Sequence, residues 1–299
     1  MFTSKRKKVK KLADSEPQKS KYKKTMKRIF FNKKAILGAI LLIIIALAAI
    51  FAPYVTVHDP IQQNVRNRLQ PPSSEHWLGT DNFGRDIFSR IVYGGRISLR
   101  IGFISVGIAV LFGCSMGVLA GFYGGWVDNI IMRIVDIMLA LPGFLLALAI
   151  ISALGPGINN LMIAVGISYI PVFARLMRSA VLAVIEKDYV TAARALGGDD
   201  RQLIFKHIIP NSLSPIIVQA TLAMAGSILS AAGLSFLGLG AQPPTPEWGF
   251  MIASARQFIR LSHYAVTFSG LAIVITVLSL NLVGDGLRDA LDPKTLEHQ

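Results

Sequence analysis

Arg133 and Asp136, near the start of the third long apolar run, and Asp285, after the last, are the candidate intramembrane ionisable residues of this 299-residue chain. Ionisable groups inside a membrane commonly carry protons or ions. All three fall at the ends of apolar runs and none at a centre, so a proton relay within this chain has no support. Arg133 and Asp136 are spaced i, i+3, and two readings stand: a pair on one helix face, or separate interfacial anchors. No G-x-x-x-x-G-K-[ST] loop is present to cradle nucleotide phosphates, and no H-E-x-x-H. The five histidines are scattered without ligand spacing, so no metal site is expected. Cys114 is the only cysteine and lies in an apolar run, which excludes an intrachain disulfide or thiolate cluster.

The stretch TAARALGGDDRQLIFKHIIPN, Thr191 to Asn211, is different in kind. It is a polar segment between two oily runs, with two short helical patterns joined by Gly197 and Gly198. Glycine supplies a left-handed stop after the first helix, and Asp199 or Asp200 can cap the second. The first helix offers Thr191, Ala192, Ala193 and Ala195, with Arg194 and Leu196 between and after them. Leu203, Ile204, Ile208 and Ile209 offer an apolar face back toward the rest of the chain, beside Phe205 and His207, and Pro210 closes the second helix. A run of small side chains before a glycine stop suits a knob that seats in a groove of another protein. A rigid helical knob transmits motion; the alternative is an ordinary loop with surface helices.

These residues need a scaffold, and composition names its class. The chain is 53% hydrophobic and 16% charged, against about 25% charged in soluble domains. Several runs reach the roughly 18 apolar residues needed to cross a bilayer. Met1 to Lys34 holds 14 Lys and Arg against two acids, so +12 of the net +14 lies in this tail and +2 in the remainder. A basic tail beside an apolar run is a cytoplasmic topology signal and a contact for anionic lipid. Without a nucleic-acid reading module it does not indicate nucleic-acid binding. Its end, YKKTMKRIFFNKKA, fits an amphipathic lead-in at the membrane surface.

The runs predict six spans, near 35–55, 98–122, 134–154, 159–177, 213–240 and 265–284. Both termini are then cytoplasmic, and so is the loop over 184–211. The first run reads as an uncleaved span and not as a signal peptide, because the charged region before it is too long. Gly155-Pro156-Gly157 separates the third and fourth spans. Gly113, Gly117 and Gly121 make a small-residue stripe that permits close helix approach in lipid. In the fifth span Ala223, Gly226, Ser227, Ser230 and Ala231 leave room either for a translocation path or for close helix packing. The first external segment carries Arg66, Arg68, Arg85, Arg90, Arg96 and Arg100 against four acids, which fits the positive-inside rule poorly. Within it Asp81, Arg85, Asp86 and Arg90 suit a stabilising network or a partner contact, and Glu247 and Trp248 of PPTPEW are equally open.

Thr191-Ala192-Ala193, three residues, Gly197, then an apolar helix to Pro210 resembles the EAA loop of ABC-transporter permease subunits, with Thr191 where that family has Glu. HWLGTDNFGRDIFSRIVYGGRISLRIG from His76, SFLGLGAQPPTPEWGFMI from Ser235 and NKKAILGAILL from Asn32 are similar to the C-type subunit of dipeptide, oligopeptide and nickel permeases. The likeness runs from about residue 25 to 295. It implies an all-α polytopic protein with six transmembrane helices, the type I importer permease (MetI-like) fold, in the cytoplasmic membrane. It implies a second, similar permease subunit and two cytoplasmic ATPases, with Mg-ATP bound there and no cofactor in this chain. It also implies an extracytoplasmic substrate-binding protein. Thr191 to Gly198 becomes the coupling helix that docks on one ATPase. The expected cargo is di- or oligopeptides, with nickel or another small solute as the alternative. A stand-alone secondary transporter is the competing class, and ATP depletion against gradient collapse separates them.

Overall fold

In a computed structural model the chain is described over residues 32–291. Most of the basic tail and of its lead-in, and the last eight residues, lie outside the described residues.

Apolar runs become helices because a backbone in lipid must satisfy its polar groups internally. Helix α1, Lys33–Ile50, begins where the Asn32 side chain accepts from the amides of Lys34 and Ala35, and a short α2, Ala52–Val55, follows it. An external segment then leads to α3, Ile87–Tyr123, capped by Asp86, whose carboxylate accepts from the Ser89 amide at 2.7 Å. Next come α4, Gly125–Leu139, α5, Gly143–Leu154, and α6, Ile158–Ile185. The elbow holds α7, Asp188–Ala195, and α8, Asp200–Gln202. A π-helical turn over Leu203–Ile208 runs into α9, Ile209–Phe236. Helix α10, Trp248–Ala255, and α11, Tyr264–Leu291, complete the described chain. No strand occurs among the described residues.

Among the described residues five helical stretches are long and apolar enough to cross a membrane, and α4 with α5 make a sixth candidate as a bent pair. The sequence pattern places one span over 134–154, whereas the chain there forms two helices meeting at 90°. Pro142 is the physical reason: it removes a backbone donor and pushes Leu141 out of the helical region. Pro171 leaves α6 unbroken. Pro210, expected to close the second elbow helix, instead sits in the first turn of α9. The helix runs from Asp200 to Phe236 without a stop. The π turn makes this possible: the Ile209 amide reaches back to the Ile204 carbonyl, and the widened turn makes room where a proline ring would strike the carbonyl four residues earlier.

Helices α3 and α6 pack side by side and run parallel. A Cβ on Gly113 would lie 2.6 Å from the Ile170 carbonyl oxygen, on Gly117 2.5 Å from that of Ala174, and on Gly121 2.9 Å from Val181 Cγ1. The glycine stripe is therefore an intrachain seam. We expect Gly117→Leu to force these backbones apart, where overpacking costs about 1–3 kcal/mol or more. Its melting temperature in detergent should fall and folded yield collapse, whereas Gly107→Ala, mid-helix with nothing within 4 Å of its new Cβ, should be unchanged or slightly more stable.

This seam also contains Gly113-Cys114-Ser115-Met116-Gly117, which fits the G-x-S-x-G pattern of a hydrolase nucleophile. It lies mid-helix, and the Ser115 hydroxyl donates to the Leu111 carbonyl at 2.6 Å. A nucleophile elbow needs a strained strand-to-helix turn, so this serine is not one.

Candidate functional site

The elbow between α6 and α9 is rooted in the bundle. Val190, Leu203, Ile204 and Ile208 belong to the same buried cluster as Val106, Phe173, Met177 and Val181 of α3 and α6. The turn at its tip is fixed by hydrogen bonds. Gly197 adopts φ +86°, a left-handed conformation that glycine takes without strain. Its amide donates to the Arg194 carbonyl at 3.0 Å, and the Gly198 amide to that of Ala193 at 3.1 Å. Together these form a Schellman closure. Of the two possible caps for the second helix, Asp199 serves, accepting from the Gln202 amide at 2.9 Å. The Arg194 guanidinium lies 5.8 Å from the Phe122 ring centroid at the end of α3. These contacts make the elbow a stiff extension of α3 and α6.

Its outer surface is unusual for a water-facing turn. Thr191, Ala192 and Ala195 are exposed, Leu196 is 89% exposed and Phe205 70%. Ala193, which the sequence places on the presented small-residue face, is half-buried and packs inward on the core cluster. The outward set is thus Thr191, Ala192, Ala195, Leu196 and Phe205. His207 stands half-buried beside Tyr189, ring centroids 6.4 Å apart.

The charged residues at this end tie helices together. Asp136 pairs with Arg175 of α6 at 2.8 Å and not with Arg133, so of the two readings left by the spacing the i, i+3 pair is the one that does not form. Asp128 receives two bonds of 2.5 Å from Arg178. Both ion pairs clamp α4 to α6, and neither is at a span centre.

The small residues of α9 divide by face. Ala223, Ser227 and Ala231 are buried inside this chain's own packing. Gly226 and Ser230 are half-buried. A Cβ on Gly226 would collide with the Tyr169 hydroxyl of α6. Packing accounts for the first three without a substrate, and Tyr169 is a neighbour that the sequence did not single out.

The external arginines have structural partners. Asp81 takes Arg85 Nε at 2.7 Å and Arg90 Nε at 3.5 Å, with all three side chains buried. Its other oxygen accepts from the amides of Phe83 and Arg85. Arg90 also donates to the Pro60 carbonyl at 2.8 Å. Arg96 donates to the last carbonyls of α1, those of Ala49 and Ile50, where a cation suits the helix dipole. Three of the six arginines that strain the positive-inside rule are thus engaged: two by a buried carboxylate, one of these also by a carbonyl, and a third by a helix end. Glu247 caps α10 through the amides of Gly249 and Phe250, at 2.9 and 2.8 Å. Burial pushes its carboxyl above the usual range, against the pull of those two amides. Trp248 Nε1 donates to the Ile91 carbonyl at 2.9 Å, joining the PPTPEW loop to α3.

Comparison with known proteins follows the same outline. Residues 110–297 match the family described as binding-protein-dependent transport system inner membrane component. Residues 20–72 match the N-terminal transmembrane domain of oligopeptide transport permease C. The dipeptide transport system permease protein DppC of Alkalihalophilus pseudofirmus is 52% identical over 92% of this chain and 90% of its own. The di/tripeptide transport system permease protein DppC of Pseudomonas aeruginosa is 49% identical over 88% of this chain and 89% of its own. The glutathione transport system permease protein GsiD of Pectobacterium atrosepticum is 48% identical over 86% and 85%. Among solved structures, an inward-facing MetNI methionine ABC transporter matches 68% of this chain and 96% of its own, with TM-score 0.56 and 20% identity. At that identity the likeness concerns the fold alone.

Proposed function

The chain belongs to the binding-protein-dependent transport system inner membrane components, and from that premise we propose that it carries short peptides inward as one permease subunit of an ATP-binding-cassette importer. The family implies partner permease and ATPase subunits. In our reading there are two ATPases and one second, similar permease, with an extracytoplasmic binding protein delivering cargo and both termini of this chain in the cytoplasm. Relatives named for dipeptides, di- and tripeptides and glutathione favour short peptides over nickel.

The observation that carries the coupling assignment is the elbow's outer surface: a Schellman-closed knob with Leu196 and Phe205 exposed and its root in the bundle core. Apolar side chains held rigidly in water suit a partner's groove. ATP binding on the partners draws the ATPases together. The knob moves with them, and because its base shares a core with α3 and α6, both helices must follow. The path then opens outward, and hydrolysis with loss of ADP and phosphate restores the inward state. The ligand acts only through its different affinity for the two states. Mg-ATP belongs to the partners in this account. Gly226 and Ser230, beside Tyr169, are the part of the proposed translocation path that packing leaves half-open.

Proteoliposomes holding the permease pair, the ATPases and the binding protein test this reading. We expect labelled di- and tripeptides to accumulate only with ATP, and unlabelled peptide to compete. Uptake that persists without ATP and stops when the proton gradient collapses would instead mark a secondary transporter.

A further inference from the structure

The fold brings together three residues that the sequence keeps apart. One ring nitrogen from each of His58 and His76 and a carboxylate oxygen of Asp86 lie within 4.8 Å of one another. They come from the segment after α2, from the loop before α3 and from the cap of α3. All lie at the start of α3, and since α3 and α6 run parallel this is the end opposite the elbow. We propose that His58, His76 and Asp86 form an external site for one divalent metal ion of the zinc class.

The donor set is the first reason. Two imidazoles and a carboxylate are borderline ligands that suit zinc better than calcium or magnesium. Ligands of a tetrahedral zinc, at about 2.0–2.1 Å each, stand about 3.3 Å apart. The observed set therefore needs to contract by about 1.5 Å at most.

Protonation is the second. His58 Nε2 faces the Glu75 backbone carbonyl at 2.9 Å. A carbonyl only accepts, so Nε2 carries the hydrogen and Nδ1 keeps a lone pair. His76 Nδ1 faces Asp86 Oδ1 at 3.0 Å, which likewise leaves Nε2 of a neutral ring free to bind. A histidine whose other nitrogen donates to a carbonyl or carboxylate is the arrangement that orients metal-binding imidazoles. In the metal-bound site Asp86 is the third ligand, its Oδ1 turning from His76 Nδ1 to the ion. Its second oxygen stays on the Ser89 amide.

The surroundings are the third. A cavity of about 150 Å³ opens on the cluster, lined by His58, Asp59, Glu75, His76 and Asp86 with amide side chains, and among the described residues no lysine or arginine lines it. The lining is acidic and open to solvent, so a cation has both a path and a favourable field. An ion here would tie three external segments together at the head of α3, next to the buried Asp81 network.

The test uses the assembled transporter in lipid nanodiscs, purified without a polyhistidine tag and stripped with EDTA. Zinc alone is titrated against a chromophoric chelator at pH 7.5. We expect one zinc per copy of this chain with a dissociation constant below about 1 μM, since well-formed protein zinc sites are far stronger. His58→Ala should weaken it at least tenfold, while His58→Cys, which supplies a competent thiolate, restores it. The His58 ring is partly exposed, and an unshifted melt of metal-free His58→Ala verifies its fold. Failure to hold zinc at 10 μM overturns the proposal. So does a zinc equivalent that His58→Ala leaves unchanged, or a loss that His58→Cys does not restore.

Discussion

Leu196→Asp should cut ATP-driven peptide uptake at least tenfold while leaving the permease folded. Leu196 is 89% exposed, and a surface change away from any packed feature shifts stability by no more than about 0.5 kcal/mol. The same change buries a charge if Leu196 seats in an apolar groove. Losing a central apolar anchor costs about 2 kcal/mol or more of binding, which is about thirtyfold in affinity. The permease alone should keep its melting temperature, and the ATPases should copurify poorly. Normal uptake by this variant would place the docking surface elsewhere. Substitution of Ala193 reports less clearly, because Ala193 packs inward and a bulky side chain there disturbs the root of the elbow.

At the opposite face, Asp81→Ala should be among the most destabilising single changes in the chain. Asp81 compensates two arginines whose side chains are 2% and 1% exposed, and it accepts from two backbone amides. Removing one partner of a buried ion pair costs about 3–5 kcal/mol, because the remaining charge is stranded in a poor solvent. Here two are stranded. We expect little folded protein in membranes and a melting temperature well below wild type. Arg66→Ala, on the exposed part of the same segment, should be near neutral. Equal melts for the two variants would show the Asp81 network to be ornamental.

The sequence exposed the periodic features most clearly. Apolar runs, the Gly197-Gly198 stop and the four-residue glycine stripe each act through local geometry, and residue types alone expose them. What stayed hidden depends on which helix faces which. Arg175 as the partner of Asp136 needs α4 laid against α6, a contact between segments about forty residues apart that spacing does not reveal. The inward face of Ala193 follows from the packing of α7 on the core cluster of α3 and α6. Pro210 reads as a terminator from its missing donor, yet a π turn just before it lets the helix continue. His58, His76 and Asp86 meet only after the external segment folds back on α3. Three histidine or carboxylate positions without fixed spacing give no linear signal.

Cysteine cross-linking at the elbow tests the central claim most directly. The native Cys114, half-buried in α3, is first replaced by serine, and Leu196→Cys is introduced into the assembled transporter. Oxidation against single cysteines placed around the groove of the ATPase subunit should give a specific cross-linked pair, and ATP should change its yield. Labelling of Leu196→Cys by a membrane-impermeant thiol reagent added outside intact cells, with no cross-link to the ATPase, would contradict the account.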